Sequence, residues 1–243
     1  MGSLLDDAIE AHGGRRRWGK VSEISAHVRS GGLLLASKLK RRQLSDYGLS
    51  VTTGRQSSVL QPYPRPGRTG VFEEGDVRIL DSDGEVVAAR KRARDAFFGV
   101  SGLARKAWWS DIDTLYFAGY AIWNYLNTPF MLQGEGFESE ETEGIEVKGE
   151  PWRRLDVTFP DHIQTHCSRQ TFYFDSEGLL RRHDYAPDVI ASFARACHLS
   201  SEHKTFDGLV FPTRRRVVPR APGGRPLPGP TIVSIELASI SAG

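Results

Sequence analysis

Cysteine is scarce in this chain of 243 residues, which contains only Cys167 and Cys197. Two cysteines are too few for the disulfide framework of a small secreted domain, and their spacing matches neither a zinc motif nor a redox pair. A single disulfide between them is the less favoured interpretation. We therefore expect two reduced thiols, as in a cytoplasmic protein.

An excess of charge of one sign and long apolar runs are also missing. The 32 basic residues nearly balance the 30 acidic ones, which argues against a nucleic-acid partner. The basic runs at residues 15–17, 38–42, 90–94 and 214–216 are scattered, and we interpret them as solvated surface. No apolar stretch is long enough to span a bilayer, and the N-terminus lacks the pattern of a signal peptide. We expect a cytoplasmic protein without integral membrane contact.

The motifs that hold common cofactors or activate common nucleophiles are absent from the sequence. It contains no Gly-x-Gly-x-x-Gly, no phosphate-binding loop and no Gly-x-Ser-x-Gly, which argues against nucleotide cofactors and a serine nucleophile. It also contains no His-Glu-x-x-His. His162 and His166 are four residues apart, a spacing that would bring both imidazoles to one metal ion on a helix. They fall in a predicted strand, where side chains four residues apart share a face but lie further from each other. We therefore predict no cofactor and no metal.

Most of the remaining pattern is typical of strands. Ile24, Ala26 and Val28 alternate with polar residues, as in a strand with one buried face. Residues 3–13 favour a short helix that ends at Gly13-Gly14. Comparable runs between turn-forming segments predict strands over residues 33–40, 43–53, 55–61, 69–73, 77–80, 145–148, 152–159, 163–174, 179–185, 209–218 and 231–239.

A helical insert interrupts these strands at about residues 88–128. From Ile112 to Leu126, apolar side chains recur at three- and four-residue steps, and Pro129 ends the run. Strands joined by short turns pair antiparallel, and a long sheet must curl or close to protect its edges. We predict one domain over residues 1–243, mainly β with a helical insert (α+β). Its sheet would be single, curved and antiparallel, a half-open β-barrel wrapped on helices.

Five segments carry a resemblance to a known family. They are residues 8–14 (AIEAHGG) with Trp18, 116–126 (YFAGYAIWNYL), 170–175 (QTFYFD), 178–185 (GLLRRHDY) and 208–213 (GLVFPT). Together they resemble an uncharacterised bacterial family whose fold is similar to LolA-type lipoprotein carriers. The resemblance covers most of the chain and implies a curved antiparallel sheet, helices over its open mouth and an apolar cavity between them.

The sequence of residues 170–185 predicts a hairpin in which several polar side chains share one face with apolar ones. If Phe174 pairs with Leu180, then Phe172 lies opposite Arg182 and Gln170 opposite Asp184, and all of these side chains share a face. A one-residue bulge would exchange the two faces of the hairpin. The sequence therefore leaves open whether His166 or His183 faces the cavity.

These patterns name two groups of candidate site residues. An imidazole beside a carboxylate can act as acid or base, and a tyrosine can stabilise an oxyanion, so the catalytic candidates are His166, His183, Asp184 and Tyr185. The aromatic insert and the hairpin supply the ligand-binding candidates. They are Tyr116, Phe117, Tyr120, Trp123, Asn124, Phe130, Gln170, Phe172, Phe174 and Arg182.

Two functions are compatible with this sequence. The first is binding of an apolar small molecule together with cofactor-independent acid/base catalysis, such as cyclisation, elimination, hydration or isomerisation. The second is non-catalytic binding or carriage of a lipid-like ligand. A purely structural interpretation stands beside both, in which Arg182 and Asp184 form an ion pair and the aromatic insert is ordinary core. The sequence indicates no oligomeric state.

Overall fold

The computed structural model describes residues 2–40, 42–191 and 193–243. Its α-helices are α1 (Leu4–Ala11), α2 (Gly14–Trp18), α3 (Leu33–Ser37), α4 (Gly99–Ala107) and α5 (Asp111–Asn127), and 3-10 turns cover Ala93–Phe97 and Phe130–Gln133. Its strands are β1 (Glu23–Gly31), β2 (Tyr47–Thr52), β3 (Ser57–Gln61), β4 (Thr69–Glu73), β5 (Asp76–Leu80), β6 (Val86–Arg90), β7 (Glu138–Val147), β8 (Glu150–Thr158), β9 (Arg169–Phe174), β10 (Leu180–Tyr185), β11 (Ala196–Phe206), β12 (Leu209–Pro219) and β13 (Val233–Ala242).

The thirteen strands found in the described residues form one antiparallel sheet that does not close. The chain enters the middle of the sheet with β1, runs strand by strand to the edge at β6 and crosses through α4 and α5 to the other edge at β7. It then returns strand by strand to β13, which pairs with β1 from Ile24 opposite Ala242 to Gly31 opposite Ser234. The predicted fold class, a single curved antiparallel sheet with a helical insert, is confirmed.

Helix α5 packs against the half of the sheet formed by β2–β6. Ser110 and Asp113 form a capping box at its start, which satisfies backbone N–H groups that the first helical turn leaves free. The helix approaches the sheet closely at Gly119, where a Cβ atom would lie only 2.4 Å from the Cβ of Phe72. The hydroxyl of Ser58 donates to the backbone oxygen of Gly119 (2.9 Å), which anchors the helix at this point.

Helix α1 covers the other half of the sheet. Its capping box is formed by Ser3 and Asp6, and its buried side chains include Leu4 and Ala8. These pack with apolar side chains of β8–β10 in a second core: Leu155, Val157, Phe172, Phe174 and Leu180. The two helices therefore line opposite halves of the same curved sheet.

Several sequence predictions about elements differ from the structure in their extent or type. Residues 33–40 begin as helix α3 rather than a strand, because Gly32 takes a positive φ of 108° and the N–H groups of Leu33 and Leu34 bond to the connection before β13. The helical insert starts after residue 90, since β6 extends to Arg90. The strand predicted over residues 163–174 begins only at Arg169, because a loop closed by the Phe159 N–H on Ser168 O (2.8 Å) precedes it.

The predicted register of the β9–β10 hairpin is correct at its turn and wrong beyond it. Leu180 lies opposite Phe174 as expected, but a bulge follows, so that Arg182 lies opposite Tyr173 and His183 opposite Phe172. The bulge exchanges the two faces of β10 relative to β9. As a result Arg182 and Asp184 lie on the face away from Phe172, and His183 takes the inner position.

Candidate functional site

An apolar groove opens where α3, residues 187–190 and 193–195, and the adjacent ends of β11–β13 meet. Its volume is about 680 Å³, within the range of small-molecule sites in proteins. Leu33 and Phe193 stand at its rim, and the Phe193 side chain is 85% exposed. The apolar lining comprises Leu33, Leu34, Phe117, Tyr185, Pro187, Ile190, Phe193, Ala194, Ala196, Val217, Val218, Pro219, Pro222, Ile232 and Val233, and Ser37, Arg195 and Arg220 supply polar atoms.

Tyr185 connects this groove to a buried polar cluster behind it. Its ring lines the groove and stacks on His166 with the two ring centres 3.9 Å apart. The hydroxyl of Tyr125 lies 3.1 Å from that of Tyr185 and 2.7 Å from Nε2 of His166. The hydroxyl of Tyr120 lies 3.0 Å from Nδ1 of the same imidazole. One nitrogen of a neutral imidazole donates and the other accepts, so His166 bonds both tyrosines without a charge.

The electrostatics of the cluster keep these groups in their uncharged forms. Burial, with a smaller effect from the Arg94 charge, lowers the pKa of His166 to about 3. Burial likewise raises the pKa of Tyr125 to about 12 and that of Tyr185 well above its usual value. An acid/base catalyst needs a pKa near the working pH, which none of these three groups has.

A second part of the cluster contains His183, His198 and Arg215. The Nε2–H of His183 donates to Oε1 of Gln170 (2.5 Å), and its ring stacks on Phe172. Neither ring nitrogen of His198 has a hydrogen-bond partner among the described residues. Burial lowers the pKa of both histidines well below the usual value.

Arg215 is a buried cation, so the interpretation of residues 214–216 as solvated surface is wrong for this residue. β12 alternates, so Arg214 and Arg216 face solvent while the Arg215 side chain points into the cluster. Its Nη2 donates to the backbone oxygen of Tyr125 (2.8 Å), and the guanidinium lies over the Tyr125 ring. Burial lowers its pKa to about 10. Sequence reasoning missed both Arg215 and His198, and the alternation of β12 was the signal that could have identified the arginine.

Arg182 and Asp184 form a structural ion pair outside this cluster. Nε and Nη2 of the arginine donate to the two carboxylate oxygens at 2.7 and 2.6 Å, and Nη1 of Arg220 lies 3.2 Å from the same carboxylate. The Arg182 guanidinium also covers the Tyr173 ring. This arrangement corresponds to the structural interpretation of the pair, and no hydrogen bond or ion pair joins Asp184 to the described imidazoles.

The other predicted ligand-binding residues are distributed between the groove and the core. Phe117 lines the groove, whereas Phe172 and Phe174 pack under α1. Most of the rest hold the helical insert in place. The indole N–H of Trp123 donates to the backbone oxygen of Thr52, and the side-chain amide of Asn124 donates to the backbone oxygen of Gln164. The hydroxyl of Tyr116 donates to the side chain of Gln164, and the Phe130 ring stacks on Trp18. Sequence reasoning missed the groove wall at residues 187–190 and 193–195, because the sequence of this stretch has neither helical nor strand periodicity.

Four further features belong to the described part of the chain. No helix in it is both long and apolar enough to cross a bilayer. Within the same residues, no three side chains of histidine, cysteine, aspartate or glutamate converge as metal ligands would. Cys167 and Cys197 are both free thiols. A cleft of about 640 Å³ beside Trp123 and His162 has a more polar wall than the groove.

Comparison with known proteins identifies the fold. No protein-family model and no curated protein matches the sequence. Among solved structures, the chain is similar to a LolA superfamily protein from Nitrosomonas europaea, with 12% identity, a TM-score of 0.53 and coverage of 98% of this chain and 91% of that one. A DUF1329 family protein from Desulfovibrio piger gives 12% identity and a TM-score of 0.55, covering 99% of this chain and 92% of that one.

A putative outer membrane lipoprotein-sorting protein domain from Vibrio parahaemolyticus gives the same result. Its identity is 10%, its TM-score is 0.54, and the alignment covers 98% of this chain and 91% of that domain. At such low identity the similarity describes the backbone and not the side chains of a site. The open thirteen-stranded sheet of the described residues and these matches together show that the chain has a LolA-like half-open barrel fold.

Proposed function

We propose that this protein binds a lipid-like ligand in the apolar groove and acts as a binding or carrier protein. The single observation that carries the proposal is a groove of about 680 Å³ whose wall is almost wholly apolar and whose rim holds exposed Leu33 and Phe193. A site of this kind gains affinity by removing apolar ligand surface from water. The lipoprotein-sorting description of the Vibrio relative agrees with such a ligand.

Two arginines at the groove favour a ligand with an anionic head group. Arg195 is exposed, and Arg220 is bound to Asp184 on one side while its Nε has no partner among the described residues. A carboxylate or phosphate next to these guanidinium groups would form charge-assisted hydrogen bonds. The proposed ligand is therefore an amphiphile, such as a fatty acid or an acidic lipid.

The catalytic part of the sequence prediction has less support. Asp184 lies outside the imidazole cluster, and the low pKa of His166, about 3, makes that imidazole a poor base at neutral pH. The His166–Tyr125–Tyr185 contacts are satisfied hydrogen bonds in the core. We assign them a positioning role, in which they fix the Tyr185 ring as part of the groove wall.

The test is titration of delipidated protein with a dansyl-labelled fatty acid, followed by fluorescence. We expect saturable binding that weakens about tenfold or more in Ile190→Asp or Ile232→Asp, because a carboxylate in the groove must be desolvated when the chain enters. Val87→Asp, on the exposed edge strand β6, is the matched control and should bind like the parent protein. Equal binding by all three variants, or no saturable binding at all, contradicts the proposal.

A second comparison tests the proposed preference for an anionic head group. Arg195→Gln should weaken binding of the labelled fatty acid by several-fold and leave binding of its methyl ester unchanged, because only the acid carries the charge. Native mass spectrometry of protein purified from its own host would identify the natural ligand. An equal effect on acid and ester would remove the argument for an anionic head.

A further inference from the structure

The buried charge of Arg215 has no counter-charge among the described residues. The side chain is only 2% exposed, and no ion pair joins its guanidinium to a described carboxylate. Its pKa of about 10 keeps the group protonated at neutral pH. A charge taken out of water is costly unless an opposite charge and hydrogen bonds replace the water. The inner face of β12 therefore needs a negative charge that the described chain does not supply.

The hydrogen bonds of Arg215 also leave the guanidinium only partly satisfied. Nη2 donates to the backbone oxygen of Tyr125 (2.8 Å), and Nη1 donates to Oγ of Ser200 at the long distance of 3.4 Å. Nε has no partner among the described residues. A guanidinium carries several N–H donors in a fixed plane, and these two bonds use only part of them.

His198 lies beside Arg215 and has the same deficit. Ser200 is opposite Arg215 in the β11–β12 pair, and His198 is the preceding inward residue of β11. The His198 ring centre lies 4.5 Å from that of Tyr125, and the Arg215 guanidinium carbon lies 5.3 Å from the same ring centre. His198 is fully buried, and neither of its ring nitrogens has a partner among the described residues. The unsatisfied atoms of both side chains therefore lie around one tyrosine ring.

An anion between the two side chains would satisfy these groups together. Diagonal neighbours in an antiparallel pair are roughly 7–8 Å apart, and two hydrogen bonds of about 3 Å, one to each side chain, nearly span that distance. Ser200 accepts from Arg215, and its own hydroxyl hydrogen has no acceptor among the described residues, so it can donate to the same anion. Ordered water would supply hydrogen bonds but would leave the guanidinium charge unbalanced.

The charge and the space at this position favour a small anion of single charge. Burial lowers the pKa of His183 and His198, so both imidazoles are neutral and Arg215 is the cation that the anion meets. A cavity of about 40 Å³ adjoins the cluster, lined by Tyr125 and by Ile235, the residue opposite Arg215 in the β12–β13 pair. One water needs about 10–15 Å³, so the packing here can admit an ion of chloride size but not a lipid chain.

We propose that Arg215, His198 and Ser200 form an internal binding site for a small monovalent anion such as chloride. The bound anion joins β11 to β12 on the inner face of the sheet. It also fixes the guanidinium that holds the backbone oxygen of Tyr125, so it connects these strands to α5. The anion site does not depend on a ligand in the apolar groove.

The test is urea unfolding of the full chain at constant ionic strength, with sodium gluconate replaced stepwise by sodium chloride. An ion that binds only the folded chain stabilises it more as its concentration rises, so the urea midpoint should rise with chloride. Arg215→Met should lose this rise, and His198→Phe should weaken the apparent chloride affinity several-fold. Arg216→Met, which alters the exposed arginine next in β12, is the matched control and should respond like the parent protein.

Bromide gives an independent measurement on the unaltered chain, and it decides the question even if Arg215→Met does not fold. Crystals grown in sodium bromide should show an anomalous difference peak beside Nε of Arg215 and a ring nitrogen of His198. Ile190→Asp should keep the chloride response even where it abolishes fatty-acid binding, which separates the two proposals. The anion site is overturned by equal midpoints in chloride and gluconate, by a chloride response that Arg215→Met retains or Arg216→Met loses, or by bromide at surface positions alone.

Discussion

Buried histidine is the most unusual feature at the scale of single residues. His12, His166, His183 and His198 are all buried, and His12 donates its Nδ1–H to the backbone oxygen of Ala8 (2.7 Å). Burial disfavours the imidazolium form, so the pKa of His12 falls to about 4 and that of His166 to about 3. All four are therefore uncharged in the folded protein at neutral pH, and acid must destabilise it.

The first prediction concerns this acid sensitivity. The pKa of His166 is lower in the folded chain than the unfolded value of 6.5, so the unfolded chain binds more protons between pH 6.5 and 3. Stability is complete above pH 6.5 and falls as the pH drops through that window, by up to about 1.4 kcal/mol per pH unit for each such histidine. Urea unfolding at pH 7 and pH 5 measures the loss.

Two variants test whether buried His166 contributes to that loss of stability. His166→Gln should unfold more easily at pH 7 but lose less stability between pH 7 and 5 than the parent protein, because one proton-binding site is gone. Ser201→Ala, which removes an exposed hydroxyl and no titratable group, is the control and should keep the pH dependence of the parent protein. The same pH dependence in both variants would show that His166 does not contribute.

Only part of this residue-scale picture follows from the sequence. His166 and His183 stand out as candidates, but the faces of β10 depend on one bulge between Leu180 and Arg182, and no local pattern encodes it. Polar residues such as His198 and Arg215 occupy inward positions that an apolar alternation does not mark. The buried cluster therefore becomes visible only when the strands are paired.

Among the elements, α5 depends on a single glycine for its close contact with the sheet. At Gly119 an added Cβ would lie 2.4 Å from the Cβ of Phe72, so helix and sheet must separate if the residue changes. We predict that Gly119→Ala destabilises the protein by about 1–3 kcal/mol through overpacking, although alanine is the better helix former. Urea unfolding at neutral pH measures the change.

Gly54→Ala is the control for that substitution. Among the described residues no heavy atom other than its neighbours lies within 4 Å of its added Cβ, so the change in unfolding free energy should stay within about 0.5 kcal/mol. A Gly119→Ala variant as stable as the parent would mean that the helix can move away from Phe72 without loss.

Periodicity predicted α5 and most of the strands, but it failed on α3 and β11. The three- and four-residue steps from Ile112 to Leu126 correctly indicate α5, because its length leaves no ambiguity. Helix α3 is five residues long, and its leucine run is equally compatible with a buried strand. β11 escaped prediction because it places His198 and Ser200 inward, where a strand pattern expects apolar residues.

At the scale of the whole molecule, the open sheet must protect two edges. Strand β7 forms one of them and carries five exposed glutamates: Glu138, Glu140, Glu141, Glu143 and Glu146. Repulsion between these charges opposes pairing with another copy.

We predict that Glu140→Val/Glu143→Val increases aggregation, measured by light scattering on mild heating. Glu85→Val/Glu177→Val, which removes equal charge from exposed turn segments, should not.

The global architecture was more predictable than its details. Strands in sequence order with short turns imply an antiparallel meander, and the need to protect edges implies curvature, so the half-open barrel follows from general rules. The pairing of β1 with β13 does not, because nothing local links residues so far apart. The single domain over residues 1–243, the location in the cytoplasm and the absence of nucleic-acid partners stay predictions.

The pairing of β1 with β13 has a consequence for synthesis on the ribosome. β1 emerges early and pairs with β2, but its other edge waits until the last strand of the sheet is translated. During that interval Ile24, Ala26 and Val28 lie in a strand whose backbone groups are half unpaired, the state in which nascent β-proteins aggregate. Chaperone demand should therefore persist until β13 is released, however early the first six strands assemble.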